Sequence, residues 1–470
     1  MALVPRKLRD DALAWSVSWK SSMVLFTKNP GRIADREIWV MRSDGEQARK
    51  LDEVGPNTGF FRAEWSPDDQ RIAYVKMYGE RPELELTVES RDLKGGPAVI
   101  ILSDSKLWDF YWLPDGRLIY SLLESDPNGH SCNYWEAAAN FRTGEPLKKP
   151  RRLTRWAGFC MNYMSATEDS KGVAFLRSYF EDSVSLAEIE NAGTQITAPR
   201  HLTVTEGEDY PVGWTSDSRA VVFASRRNGQ YGVFRQSIDK DSIEPLVTEP
   251  EDAMDPRVSP DGRWVLYQAL PKERGTSTAR LMRVSIGGGP SELMFAVPTR
   301  LNSLACAKSP ATICAIAEWS PERKQLIFTA VDPLRGRGGQ LTQLDVEPSA
   351  EYAWDLSADG TRIAIVKQPD DRIHIVRFSP RTERDIIVKG RSNFVSVVWA
   401  VDGKGLFTSS IINGGSALLY TDLQGNSSLL WQQKGGGSAV PVYAVPSPDG
   451  RQLAIHSSTL SSNVWLMQNF

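Results

Sequence analysis

A chain of 470 residues exceeds the usual size of one compact core, so several domains or an extended repeat are expected. Its 41% hydrophobic and 24% charged residues suit a globular protein, and 58 acids against 55 Lys and Arg, with no long run of one sign, exclude the footprint of a nucleic-acid binder. No run of 18 apolar residues and no leader-like opening is present, so neither membrane insertion nor export is expected of the chain as written.

The chain opens with "VPRKLRD" at 4–10, a short segment like the later "ARKL", "PRRLT" and "PRHLT". After it one phrase recurs: "WSPDDQRIAYV" at 65–75, "WLPDGRLIYSL" at 112–122, "VSPDGRWVLYQ" at 258–268, "LSADGTRIAIV" at 356–366 and "VPSPDGRQLAIHS" at 445–457. Indexed by the residue three before the turn Asp, or its equivalent, the anchors are Val17, Trp65, Trp112, Ala166, Trp214, Val258, Lys308, Leu356, Trp399 and Pro446, spaced 43 to 54 residues apart. "WSPERKQLIFTA" at 319–330 looks like a better anchor than Lys308 but breaks the period, so Trp319 belongs to a later hairpin of the same repeat.

Within each repeat a strand precedes the turn and a second follows it. A third is "EIWVM" at 37–41, "YGVFRQSI" at 231–238 or "NVWLM" at 463–467, and a fourth is "ARKL" at 48–51 or "PRRLT" at 150–154. Four strands in about 47 residues is the signature of a propeller blade. The prediction is an all-β propeller of about ten four-stranded blades running over 1–470, with two smaller propellers as the alternative. The last repeat ends after its third strand, so the segment at 4–10 is expected to supply the missing fourth and leave no open edge.

The turn chemistry explains the phrase. Pro presets its backbone angle, the Asp carboxylate can accept amides two residues on, and Gly takes a positive φ. Asp68, Asp115, Asp169, Asp217, Asp261, Asp359, Asp402 and Asp449 share that position, which makes them scaffold rather than catalytic groups. The anchor Trp residues read as packing between blades.

Cys306 and Cys314 lie symmetrically about "SPA" at 309–311, where a hairpin sets them opposite, as a disulfide or as two buried thiols. Cys132 and Cys160 are the weaker pair. A disulfide implies an oxidising compartment.

These repeats resemble the TolB-type, WD-repeat-like propeller family, whose pattern is a "WSPDG" turn, an "IAF"-like strand, a "SDRDG"-like loop and an "IY"-like strand. "ASRRNGQYGVF" at 224–234 follows it with Arg226 in place of the family's acid. The C-terminal third, through "CAKSPATIC", "DPLRGRGGQL", "WAVDGKGLFTSS", "LLYTDLQGNSSLLWQQKG" and "SSNVWLMQNF", resembles propeller regions of acidobacterial sensor Ser/Thr kinases and winged-helix regulators. That resemblance implies a bacterial sensing or interaction domain outside the cytoplasm, in the periplasm. The chain itself carries no kinase motif or helix-turn-helix, and without the family a cytoplasmic location stays open.

Related propellers precede hydrolase domains, yet no G-x-S-x-G occurs and the repeat runs to the last residue. His130 in a loop, His201 in a fourth strand, His374 in a third and His456 at the end of a second do not point to one metal, and the Gly clusters at 336–339 and 435–438 do not join a strand to a helix. No cofactor is expected. Loops joining second to third strands and consecutive blades share one face, and there Asp209, Tyr210, Arg226, Arg227, Tyr231, Asp371 and Arg372 form the candidate binding face. Its partner is a protein or a polar small molecule or glycan. The reading is a non-catalytic binding or sensing module. The alternatives are a hydrolase or lyase acting on oligosaccharides or peptides through Glu208, Asp209 and Asp255, and a structural spacer.

Overall fold

The computed structural model describes every residue except 1–5, 19, 31–33, 56, 80–84, 127–128, 156–159, 204–207, 228–229, 249–250, 271–278, 298–302, 349, 369, 413–414 and 435–441. Apart from a 3-10 turn at Asn191–Gly193, the regular elements among the described residues are β-strands, mostly in four-stranded antiparallel sheets taken in chain order. The chain is all-β and propeller-like. It divides into two compact units, one formed by Met1–Tyr179 with Ser462–Phe470 and the other by Phe180–Ser461.

Val17, Trp65, Trp112, Ala166, Trp214, Val258, Leu356, Trp399 and Pro446 are each the last residue of the first strand of their repeat. Lys308 stands two residues beyond its strand, Ser303–Cys306, and Trp319 ends the second strand of that sheet. The hydroxyl-carboxylate pair explains why the chain reverses here. In the turn at 66–71, Ser66 Oγ donates to Asp68 Oδ1 (2.7 Å), the Gln70 amide donates to the same oxygen (3.2 Å), and the Arg71 amide donates to Ser66 Oγ (2.9 Å). Thr215 with Asp217, Ser259 with Asp261, Ser357 with Asp359 and Ser447 with Asp449 repeat the arrangement. These carboxylates are committed to their own backbone.

In the first unit, the first strands Ala12–Val17, Thr58–Trp65, Leu107–Trp112 and Cys160–Ala166 line a cavity of about 280 Å3. Arg62, which takes a positive φ of 50° at a bulge in its strand, ion-pairs there with Glu64 (2.7 Å) and Asp109 (3.2 Å), and all three side chains are buried. One cation faces two carboxylates. Burial pushes Glu64 up to about 8 against the pull of Arg62, with Asp109 adding to the rise, and burial also raises Asp109. The apolar core lies between successive sheets, as where Val75 and Val88 meet Phe110, Trp112 and Leu118.

In the second unit the first strands are Glu208–Trp214, Asp252–Val258, Ser303–Cys306, Glu351–Leu356, Phe394–Trp399 and Tyr443–Pro446. Each packs beside the next, and Tyr443–Pro446 packs beside Glu208–Trp214. Trp214 Nε1 donates to the Val445 carbonyl at 2.9 Å across that last contact.

Three expectations are corrected. "NVWLM" does not follow a turn: Gln452–Gln468 is one strand of 17 residues, and Gly172–Glu190 likewise runs for 19. Beyond the opening Gly172 neither stretch contains Gly or Pro, so nothing forces the backbone to reverse. Each strand starts in one unit and ends in the other, and the Ser462–Gln468 part lies in the first unit with Lys171, whose carbonyl accepts the Asn469 amide (2.9 Å). At the amino end residues 6–9 form no strand, and Leu8 packs instead on Val24, Phe26 and Met41 of the first sheet, while residues 4 and 5 lie outside the described residues. His130 belongs to the strand Gly129–Ala138, not to a loop.

Both cysteine pairs are disulfides: Cys306 with Cys314, directly opposite in register, and Cys132 with Cys160. No helix among the described residues is long and apolar enough to cross a membrane.

Candidate functional site

The six first strands of the Phe180–Ser461 unit surround a cavity of about 490 Å3. Their local sequences account for its shape. In "EDYPVGW", the register slips between Pro211 and Gly213, and a Cβ on Gly213 would meet Val258 Cγ2 at 3.0 Å, so glycine lets two inner strands approach. In "DAMDPRV" a bulge lies between Met254 and Arg257, where Asp255 has φ 47° ahead of Pro256. Such a bulge re-aims the side chains that follow it.

Near the beginnings of the inner strands the groups satisfy one another. Asp182 Oδ1 lies 3.0 Å from His456 Nε2, and Tyr210 Oη donates to Asp182 Oδ2 at 3.2 Å. His456, sealed from solvent, stacks on Tyr210 (4.6 Å between centroids) and tilts against Tyr443 (5.6 Å), while its Nδ1 has no hydrogen-bond partner. Tyr231 Oη donates to Glu208 Oε2, and Arg226 reaches Glu208 Oε1 (3.4 Å) with its guanidinium over the Tyr231 ring (5.6 Å). Burial, with Asp182 in support, raises Glu208 against its bond from Tyr231. Burial, reinforced by the neighbouring carboxylates, keeps the phenols of Tyr210 and Tyr231 protonated well above their usual range.

Toward the strand ends the lining is cationic. Arg257, Lys308 and Asp355 come from three successive sheets, and the Trp399 amide of a fourth donates to Asp355 Oδ2 at 2.8 Å. Burial raises Asp355 to about 6 despite that bond and the two cations. Burial lowers Lys308 too, and Arg257 adds to the fall while Asp355 opposes it.

Of the residues selected from the sequence, Asp209, Tyr210, Arg226, Arg227 and Tyr231 come together at the beginnings of the inner strands, on strands rather than loops. Asp209 is not a surface group. It is fully buried, accepts from Ser225 Oγ (2.5 Å) and lies 3.6 Å from Arg227 Nη2. Asp371 and Arg372 stand apart: Arg372, beside Asp370 and Asp385, lines a separate groove with His374, whose ring nitrogens meet Glu383 (3.2 Å) and Asp385 (2.6 Å). Among the described residues no group of three His, Cys, Asp or Glu is placed to hold a metal.

Sequence reasoning missed Asp182, His456, Arg257 and Asp355, and treated Lys308 as an anchor alone. Lys308 did carry a signal: the other anchors are all apolar.

No family model and no curated protein matches this chain. Solved structures similar to it include a putative TolB from Agrobacterium tumefaciens, 18% identical over 60% of this chain and 99% of that one, with a TM-score of 0.41. TolB from Acinetobacter baumannii is 13% identical over 73% of this chain and 82% of its own, with a TM-score of 0.36. A puromycin hydrolase S511A mutant complexed with PGG is 14% identical over 82% of this chain, which spans 57% of that enzyme, with a TM-score of 0.35.

Proposed function

We propose that this chain is a TolB-type propeller protein acting as a non-catalytic binding or sensing module, with its ligand taken at the inner cavity of the Phe180–Ser461 unit. One observation carries the reading: six first strands converge on one cavity of about 490 Å3, walled by Tyr, Trp and aliphatic side chains with a few converging charges. That composition is typical of ligand pockets. Arg226, Tyr231 and Tyr443 at the strand beginnings supply the residue types that dominate binding hot spots. The partner is a protein or polar ligand, and the two disulfides favour an oxidising, extracytoplasmic setting.

Cross-linked capture from an envelope extract, comparing the wild-type protein with Arg226→Glu, tests it. A partner retained by the wild type and lost from the variant supports the reading. Equal recovery by two equally folded proteins removes the proposed face.

A hydrolase or lyase acting on oligosaccharides or peptides is the second reading. It draws on the raised Glu208 carboxyl beside Tyr231 and on the Asp182–His456 pair. Turnover of glycan or peptide libraries that disappears in Glu208→Gln would favour it.

A further inference from the structure

We propose that Arg257 and Lys308 form a receptor for one organic carboxylate with an apolar body, held inside the cavity of the Phe180–Ser461 unit. The proposal rests on that cavity being a ligand site and names the ligand's chemistry.

The pairing of charges points there. The ammonium of Lys308 and the guanidinium of Arg257 line the cavity with two carboxylates, Asp355 and Asp255, and among the described residues neither cation is ion-paired to either. Asp355 already accepts the Trp399 amide. Arg257 Nη1 donates to the Pro256 carbonyl at 2.8 Å, which uses one of its five N–H groups and leaves the fork open. Among the described residues Lys308's ammonium has neither a hydrogen bond nor an ion pair. Asp255 accepts from Gln268 Nε2 (2.9 Å). Two cations without an ion pair among the described residues thus stand in a partly desolvated cavity, an arrangement that burial penalises unless an anion joins them.

The walls select the anion. Val258, Leu356, Val397, Trp399 and Pro446 line the same cavity and offer apolar and aromatic surface beside the two cations. A carboxylate can take one oxygen from each cation, or a bidentate pair from Arg257, while its body covers the apolar wall. Asp355 weighs against a dianion such as inorganic phosphate, because a second negative charge would meet its carboxylate.

The carboxylate could belong to a free small acid or to the C-terminus of a peptide. Calorimetry on the whole chain with phenylacetate, its neutral isostere phenylacetamide, and acetyl-Gly-Phe as free acid and as amide separates these. Binding of either acid at least about tenfold tighter than its amide is expected. A tighter peptide acid identifies chain ends as the source, and a tighter phenylacetate identifies free acids. Lys308→Met, which keeps an unbranched stem at this half-buried position and removes the charge, is expected to abolish the preference for acid over amide. Lys308→Arg is expected to keep it, and Arg257→Gln to weaken it. Equal binding of acid and amide, no binding of any carboxylate up to about 10 mM, or an undiminished preference in Lys308→Met each overturns the proposal. Inorganic phosphate competing as well as phenylacetate overturns the single-charge assignment. Capture that still depends on Arg226 while the acids fail to bind overturns this inference alone. Acid binding with capture independent of Arg226 overturns the proposed face alone.

Discussion

His456 Nε2 lies 3.0 Å from Asp182 Oδ1, with the imidazole fully sealed from solvent and the carboxylate nearly so. Tyr210 binds the other carboxylate oxygen and stacks on the imidazole, so the three side chains act as one set. Removing one partner of a buried polar pair leaves the other desolvated and unpaired, at a cost of about 1–3 kcal/mol. Asp182→Ala is expected to lose about that much in urea unfolding. The cycle with His456→Ala should show coupling of about 0.5 kcal/mol or more. Strictly additive losses would mean that the two residues do not support each other.

Arg62 with Glu64 and Asp109 gives the first unit a pH dependence whose sign is fixed. Glu64 is raised to about 8 in the folded chain, so the folded state binds more protons than the unfolded state between the ordinary carboxylate range and about pH 8. Stability falls as pH rises through that window. Glu64→Gln should therefore change stability little near pH 5 and flatten the alkaline decline, as read from melting temperature against pH. Asp109→Asn, which removes the repulsion that helps to raise Glu64 and leaves Arg62 paired with Glu64, is expected to move the alkaline decline to lower pH. An unchanged alkaline slope in Glu64→Gln would count against the assignment.

The turn carboxylates have the opposite sign. Hydrogen bonds from Thr167 and the Lys171 amide hold Asp169 below its ordinary value, and those from Thr215 and the Arg219 amide do the same for Asp217. Their contribution is complete above the ordinary carboxylate range and fades as pH falls through the depressed folded value. Asp169→Asn and Asp217→Asn should each reduce the steepness of acid destabilisation. A slope identical to the wild type in both would show that the turns do not depend on ionisation.

The two disulfides close loops of different length, with Cys132–Cys160 separated by 28 residues and Cys306–Cys314 by 8. On the chain-entropy argument the longer loop matters more, and Cys132→Ala with Cys160→Ala should cost about 3 kcal/mol, somewhat more than the shorter pair. Denaturant midpoints of the two double variants decide the order.

The sheets were legible because the turn phrase is chemical rather than statistical: Ser or Thr, Asp and a left-handed residue must recur wherever the same hairpin recurs. The site was less so. Asp209 looked like a loop acid, yet the strand Glu208–Trp214 turns it inward to Ser225 and Arg227. The inner charges were within reach of the repeat alignment. Glu64, Arg257 and Asp355 occupy the position just before the anchor, and Lys308 occupies the anchor itself. What no single repeat could tell is which equivalent positions from distant repeats share a cavity. His456 and Asp182, 274 residues apart, meet only because an unbroken strand carries each of them.

Those two unbroken strands have a genetic consequence. The stretch that finishes the first unit is encoded after the whole of the second, so the second unit is one continuous piece of coding sequence and the first is not. Expressing residues 1–179 by themselves would withhold Ser462–Phe470 from the sheet that needs it. A ribosome making this protein must therefore pass the codons for residues 462–470 before the sheet that begins at Cys160 can be complete.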